Sequence, residues 1–280
     1  MSEPRKKDPR AAEFAALHHR AEPLLLPNAW DHASAALLAQ SGFRAVATTS
    51  LGVAAAAGLP DSARLTREAT LRLTRTLGGT GDGGFLLSVD AEDGYSDDPG
   101  EVAGFVAELA RAGAVGVNLE DGRPDGTLTD PGLHAAKIAA VRAAAPEIFI
   151  NARTDTYWLD RQTQDTVARL EAYREAGADG VFVPGLARPE AVTEIVAAVD
   201  LPLNVLYRPG GASVAELGHL GVRRVSLGSL LYRTALGSAL ETASAVRRGL
   251  PVEPGAPTYA EVQRLSPAGD EDQAVHRPQR

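Results

Sequence analysis

Apolar residues in this chain fall into two alternating patterns. Short runs of strand length lie at 24–26, 45–48, 85–89, 117–119, 148–152, 180–183, 203–205 and 225–227, and they read as buried strands. Between them, apolar positions recur at helical spacing. Val102, Phe105, Val106 and Leu109 share one face, as do Val192, Ile195, Val196 and Val199. Helices are predicted over 11–20, from a cap at Asp31 to Gly42, over 66–77, over 166–176, from Pro189, and over 228–248. Asp98-Pro99 and Asp130-Pro131 each put a cap before a proline at the first helical position, and Ser213 with Glu216 fits a capping box. The segment after Thr49-Ser50-Leu51-Gly52 is Ala-rich and leads to Gly58-Leu59-Pro60-Asp61.

A repeat runs through this alternation. Gly42, Gly113, Gly177 and Gly221 each stand four residues before a valine: Val46, Val117, Val181 and Val225. Each glycine supplies the left-handed cap that turns a helix back into a parallel strand. Eight strands alternating with helices predict an α/β chain folded as a single parallel (β/α)8 TIM-type barrel, with a leading N-terminal helix and a C-terminal helical extension. A doubly wound open sheet is the alternative. Residues 1–10 read as a charged tail, 11–250 as the barrel, and 251–280 as a proline-rich connector, a short helix at 258–265 and a polar tail.

Composition narrows the functions. The 280 residues carry 28 basic and 36 acidic side chains, a net charge of −8, which disfavours nucleic acid and anionic membrane as partners. Cysteine is absent, which excludes disulfides, thiolate metal sites and a thiol catalyst. No apolar run is long enough to span a bilayer, and the charged N-terminus has no apolar segment behind it. A cytoplasmic protein is expected.

The stretch Phe85-Leu86-Leu87-Ser88-Val89-Asp90-Ala91-Glu92-Asp93-Gly94-Tyr95 organises the rest. A strand ends in three carboxylates that repel one another. A hard divalent cation would compensate them; a solvated acidic loop is the plainer alternative. In barrels the chemistry sits at the carboxyl ends of the strands. Those ends offer Thr48, Thr49 and Ser50, with Asp61 beyond; Asp90 and Glu92; Glu120 and Asp121; Arg153 and Asp155; Asn204, Tyr207 and Arg208; and Gly228 with Ser229. Four or five acids thus meet one arginine, which suits a metal beside a bidentate carboxylate anchor. A small α-keto or α-hydroxy acid matches that pairing.

At these residues the chain resembles the isocitrate lyase/phosphoenolpyruvate mutase superfamily. The resemblance rests on Pro27-Asn28-Ala29-Trp30-Asp31, Thr48-Thr49-Ser50-Leu51-Gly52, Gly58-Leu59-Pro60-Asp61, Val89 to Tyr95, Asn118-Leu119-Glu120-Asp121 and Asn151-Ala152-Arg153-Thr154-Asp155. It implies Mg²⁺, with Mn²⁺ as the alternative, and homo-oligomers, dimer or tetramer, that exchange a C-terminal helix. It also implies Asp90, Glu92 and Glu120 as the metal shell, and Arg153 as the grip on the substrate carboxylate. Thr49, Ser50 and Leu51 match the turn that holds substrate, Asn204 is a further substrate-binding candidate, and Asp61, Glu120 and Arg153 are the catalytic candidates.

The chain also departs from the pattern. The lyase branch carries Lys-Lys-Cys-Gly-His after strand four, where this chain reads Gly122-Arg123-Pro124-Asp125-Gly126-Thr127; the lyases' strand-two tyrosine is Val46. The lysine and asparagine of the mutase and phosphonopyruvate hydrolase branches are not evident on that loop. Carbon–carbon lyase or decarboxylase chemistry is therefore expected first and carbon–phosphorus chemistry second. A keto-acid-binding barrel with little turnover and an unrelated metal-dependent aldolase stand behind them. Arg123, Asp125 and Asp61 are the candidates for the group that sets reaction type. The GxGxxG at Gly79-Thr80-Gly81-Asp82-Gly83-Gly84 precedes a strand rather than following one and reads as a turn. His18 and His19 are expected on a solvated surface, while His32, His134 and His219 are expected to be structural or surface groups.

Overall fold

In the computed structural model, which describes residues 8–78, 84–252 and 255–265, the strands join one parallel sheet that curls into a barrel ringed by helices. In chain order they are β1 (Leu24–Leu26), β2 (Asn28–Ala29), β3 (Ala45–Thr48), β4 (Leu86–Asp90), β5 (Ala114–Glu120), β6 (Phe149–Arg153), β7 (Gly180–Phe182), β8 (Leu203–Leu206) and β9 (Arg224–Ser226). Eight strands were expected and nine segments occur, because Pro27 divides the first. Proline has no N–H to donate to a ladder. The half before it pairs with β9 and the half after it with β3. The Asn28 side chain closes the gap. Its Oδ1 accepts from the N–H groups of Leu227 at 3.1 Å and Gly228 at 2.8 Å, and its Nδ2 donates to the Thr48 carbonyl at 2.7 Å.

Helices α4 (Arg67–Gly78), α7 (Thr166–Glu175) and α8 (Pro189–Ala198) start within a residue of where the sequence signals them, whereas the first, α1 (Pro9–Leu17), starts two residues ahead of the expected 11–20 span because Asp8 caps it before a proline. Asp31 and Ser213 form capping boxes on α2 (His32–Gln40) and α9 (Val214–His219). Asp98 and Asp130 cap α5 (Pro99–Arg111) and α6 (Pro131–Ala144) with proline in the first turn. Gly42, Gly113, Gly177 and Gly221 all have φ between 92° and 107°, the left-handed conformation the repeat predicts. The Ala-rich segment is a helix, α3 (Ser50–Ala56), which begins directly at the end of β3. The last helix of the barrel region is α10 (Leu230–Arg247), and the helical extension beyond it is α11 (Tyr259–Gln263). No residue of α10 is buried, and Leu236, Leu240 and Val246 are exposed on it. The glycine turn at 79–83 and the tail beyond 265 lie outside the described residues. Among the described residues, no helix is long and apolar enough to cross a membrane.

Two apolar clusters divide the interior. The larger packs the outward-facing strand residues, such as Val117, Val181 and Val225, against the helices. The smaller plugs the amino-terminal end of the barrel, where α1 (Pro9–Leu17) inserts Phe14 and Leu17 against Leu26, Leu86 and Phe149. Gly116 permits this: a Cβ there would stand 2.6 Å from the Phe14 ring. His18 belongs to the plug, contrary to its expected surface position. It is 1% exposed, stacks on Phe149 with ring centroids 4.1 Å apart, and its Nδ1 lies 2.9 Å from the Phe14 carbonyl. A ring with one polar bond and two aromatic neighbours gains more from packing than from water. With that end sealed, the carboxyl ends of the strands form the open mouth.

Candidate active site

Asp90 ends β4 at the mouth. Its backbone N–H donates to Thr48 Oγ1 at 2.9 Å, and its Oδ2 accepts from the Ser50 N–H at 3.2 Å. Oδ1 is buried with no hydrogen-bond partner. Two residues on, Glu92 takes a left-handed φ of 49°, an uncommon conformation for a side chain of this size. The turn drives its carboxyl inward, where Thr66 donates to Oε1 and Oε2 is unpartnered. Burial pushes the Glu92 carboxyl up to about 7. The Thr66 hydroxyl opposes that shift, and the charges of Asp90, Asp61 and Asp93 add to it. Asp61, on the loop after α3, is also raised by burial and by Asp90, against bonds from the Ser50 side chain and the Ser62 backbone. Its Oδ1 has no partner either.

Glu120 and Arg153 end neighbouring strands and sit opposite each other in register. Arg153 Nη1 lies 2.7 Å from Glu120 Oε2. Asp155 grips the same guanidinium from the side, with Nε donating at 2.6 Å and Nη2 at 3.0 Å. Three of the five N–H groups are thereby engaged, and two remain for an incoming carboxylate. Burial presses the Glu120 and Asp155 carboxyls upward while Arg153 pulls them back. Phe182 lies under the guanidinium, 5.5 Å from ring centroid to carbon, which fixes its plane further.

Asp61, Asp90, Glu92, Glu120 and Arg153 are thus linked to one another by contacts or by electrostatic influence at one rim. Thr49 and Ser50 start α3 beside Asp90, with Leu51 next to them. Asn204 is not among the free donors. It is fully buried, and its side chain exchanges hydrogen bonds with Ser226 at 3.0 and 3.1 Å.

Among the described residues, no three carboxylate or imidazole groups converge tightly enough to ligate one ion directly. Unpartnered buried oxygens on Asp90 and Glu92 nevertheless fit an ion that keeps several waters and takes one or two carboxylates, as Mg²⁺ does. Glu120, held by Arg153, fits a water-mediated place.

Asp121, read from the sequence as a strand-end acid, proves to be a support, and two further supports, Asp97 and Arg224, are not among the sequence candidates. Asp121 is a fully buried hub that accepts from Thr154, Arg169, Tyr173 and the Asp155 N–H, so it holds the arginine's own clamp in place. Asp97 bridges Arg64 and Arg123 and is pushed down to about 2 by both, tying the Asp61 loop to the 122–128 loop. Arg224 lies inside the barrel. The signal for it was available: Arg224 and Ser226 alternate with Val225, so both face the barrel interior.

The phosphoenolpyruvate phosphomutase family model matches residues 14–247. An uncharacterized protein of Mycobacterium tuberculosis is 44% identical over 252 residues, 89% of this chain and 94% of its own length. An oxaloacetate decarboxylase of Paraburkholderia xenovorans is 31% identical over 248 residues, covering 82% of this chain and 80% of that protein. Among solved structures, one from Burkholderia cenocepacia described as a lyase/mutase is 38% identical. It superposes with a TM-score of 0.84 over 94% of this chain and 97% of that one.

Proposed function

The chain belongs to the phosphoenolpyruvate phosphomutase family, within a superfamily of lyases and mutases acting on small carboxylic acids, and from that premise we propose a Mg²⁺-dependent carbon–carbon lyase or decarboxylase. Its substrate is a small α-keto or α-hydroxy acid. The observation that carries this reading is the meeting, at one mouth, of unpartnered buried carboxylate oxygens with an arginine that retains two free donors.

Asp90 and Glu92 would hold the cation, with Glu120 reached through water; Mn²⁺ suits the same oxygens. When bound, the cation supplies positive charge where an enolate oxygen develops. Arg153 binds the substrate carboxylate through its remaining N–H groups. Glu120 and Asp155 keep it from turning away. Thr49, Ser50 and Leu51 line the place of the keto oxygen. Asp61 is the proton carrier among the three candidates on the loops. Arg123 is tied to Asp97, and Asp125 closes on Thr127, whereas Asp61 is desolvated, raised, and unpartnered at Oδ1. In a decarboxylation, the bond to the departing carboxylate breaks and CO₂ leaves. The electron pair passes into the enolate, and Asp61 returns a proton to the carbon.

Purified protein with Mg²⁺ should release pyruvate or glyoxylate from at least one of oxaloacetate, 2-methylisocitrate, isocitrate or an alkylmalate. Phosphate release from phosphonopyruvate would instead favour carbon–phosphorus chemistry, as the matched family model suggests. Saturable binding of all of them without product would leave a keto-acid-binding barrel, and no binding would sink the reading. The exposed apolar residues of α10 support a homo-oligomer, dimer or tetramer, which sedimentation velocity would report.

A further inference from the structure

Below the mouth, inside the barrel, lies a charge that this scheme does not use. Arg224 opens β9 and is 1% exposed, among the largest fully buried side chains. Its hydrogen-bond partners are neutral. Nη2 donates to Asn118 Oδ1 at 3.1 Å and Nε to Ser226 Oγ at 3.4 Å, while Nη1 is buried with no partner. Asn151 donates to the same Asn118 oxygen at 2.9 Å, and Asn204 to Ser226, so the guanidinium sits in a closed layer of amides and hydroxyls. A buried charge without an ionised partner is costly. A hydrophobic residue would fill that volume at less cost if packing were the only demand.

The mouth above explains what the charge answers. Asp61, Asp90, Glu120 and Asp155 interact with Arg153, with Glu92 beside Asp90 and Asp61, and a divalent cation alone would leave such a set of acids negative when an anionic substrate arrives. Burial pushes Arg224 down to about 9, against the opposing pull of Asp90, so the side chain stays charged near neutral pH.

We propose that Arg224 is the fixed internal countercharge of the site, a positioning residue that touches neither ligand yet weakens cation binding and strengthens binding of the carboxylate. This rests on the functional reading above.

The test is calorimetry on the purified full chain, with Mg²⁺ alone and then with oxalate at saturating Mg²⁺. Arg224→Met should bind Mg²⁺ about three- to tenfold more tightly and oxalate about three- to tenfold more weakly, as expected for one charge acting across several ångströms of protein. Arg224→Lys should stay within about threefold of wild type on both. Asn118→Asp, which neutralises the guanidinium in place, should reproduce the opposed shifts and serves if Arg224→Met does not fold. A purely structural arginine would give affinities that fall together or do not move, and either result overturns the inference. Wild-type protein that binds neither probe overturns the functional reading itself, and the inference with it.

Discussion

At the amino-terminal end of the barrel, α1 covers Leu26, Leu86 and Phe149 with Phe14, Leu17 and His18, and burial together with the charge of Arg224 drives the His18 ring down to about 3. At the carboxyl end, Asp61, Asp90, Glu92 and Glu120 gather around Arg153, and burial drives Glu92 the other way, up to about 7. Packing suppresses charge at both ends. At the first it succeeds, because a neutral imidazole stacks well. At the second it leaves carboxylate oxygens without partners, a state that a cation would relieve. The fold is therefore secured at one end, and the other is free to hold charge for chemistry.

The largest effect that separates the ends is acid sensitivity. His18 titrates near 6.5 when unfolded and near 3 when folded, so the unfolded chain binds the extra proton between those values. Its contribution to stability is fully present above pH 6.5 and is lost as pH falls toward 3, by at most roughly 4 to 5 kcal/mol. Urea midpoints at pH 6.5 and 4 should therefore diverge more in wild type than in His18→Gln. Next, Phe14→Ala should cost about 3 to 5 kcal/mol in denaturant unfolding while leaving the Mg²⁺ affinity of the folded protein unchanged. Loss of metal binding there would break the separation of the two ends. At the mouth, Arg153→Lys removes the planar fork and should raise the dissociation constant for oxalate by roughly 10- to 100-fold. Smallest is Asp97→Asn. Its carboxylate is largely exposed and its ion pairs are screened, so stability should fall by less than about 1 kcal/mol in thermal unfolding.

The same contrast governs what the sequence could convey. Signals that act within a few residues were legible. The glycine caps before Val46, Val117, Val181 and Val225, the Asp-Pro helix starts, the Asp31 cap and the Ser213–Glu216 capping box all occur as read. The acids could be placed at the mouth because strand ends can be counted. Features that depend on distant partners were not legible. Pro27 splits a strand only because its two halves bond to strands from opposite ends of the chain. His18 is buried by Phe149, a partner 131 positions away along the sequence. Glu120 is engaged by Arg153 through strand register, which the sequence does not print.

In the proposed site, carboxylates from separate elements share one divalent cation at the mouth. Titration of Mg²⁺ into metal-free protein, followed by calorimetry at pH 6 and pH 8 for wild type and Asp90→Asn, tests it most directly. One ion per chain is expected, tighter at pH 8 because Glu92 must release its proton, with no saturable binding in Asp90→Asn. Equal binding by wild type and Asp90→Asn, or none by wild type at either pH, would contradict it.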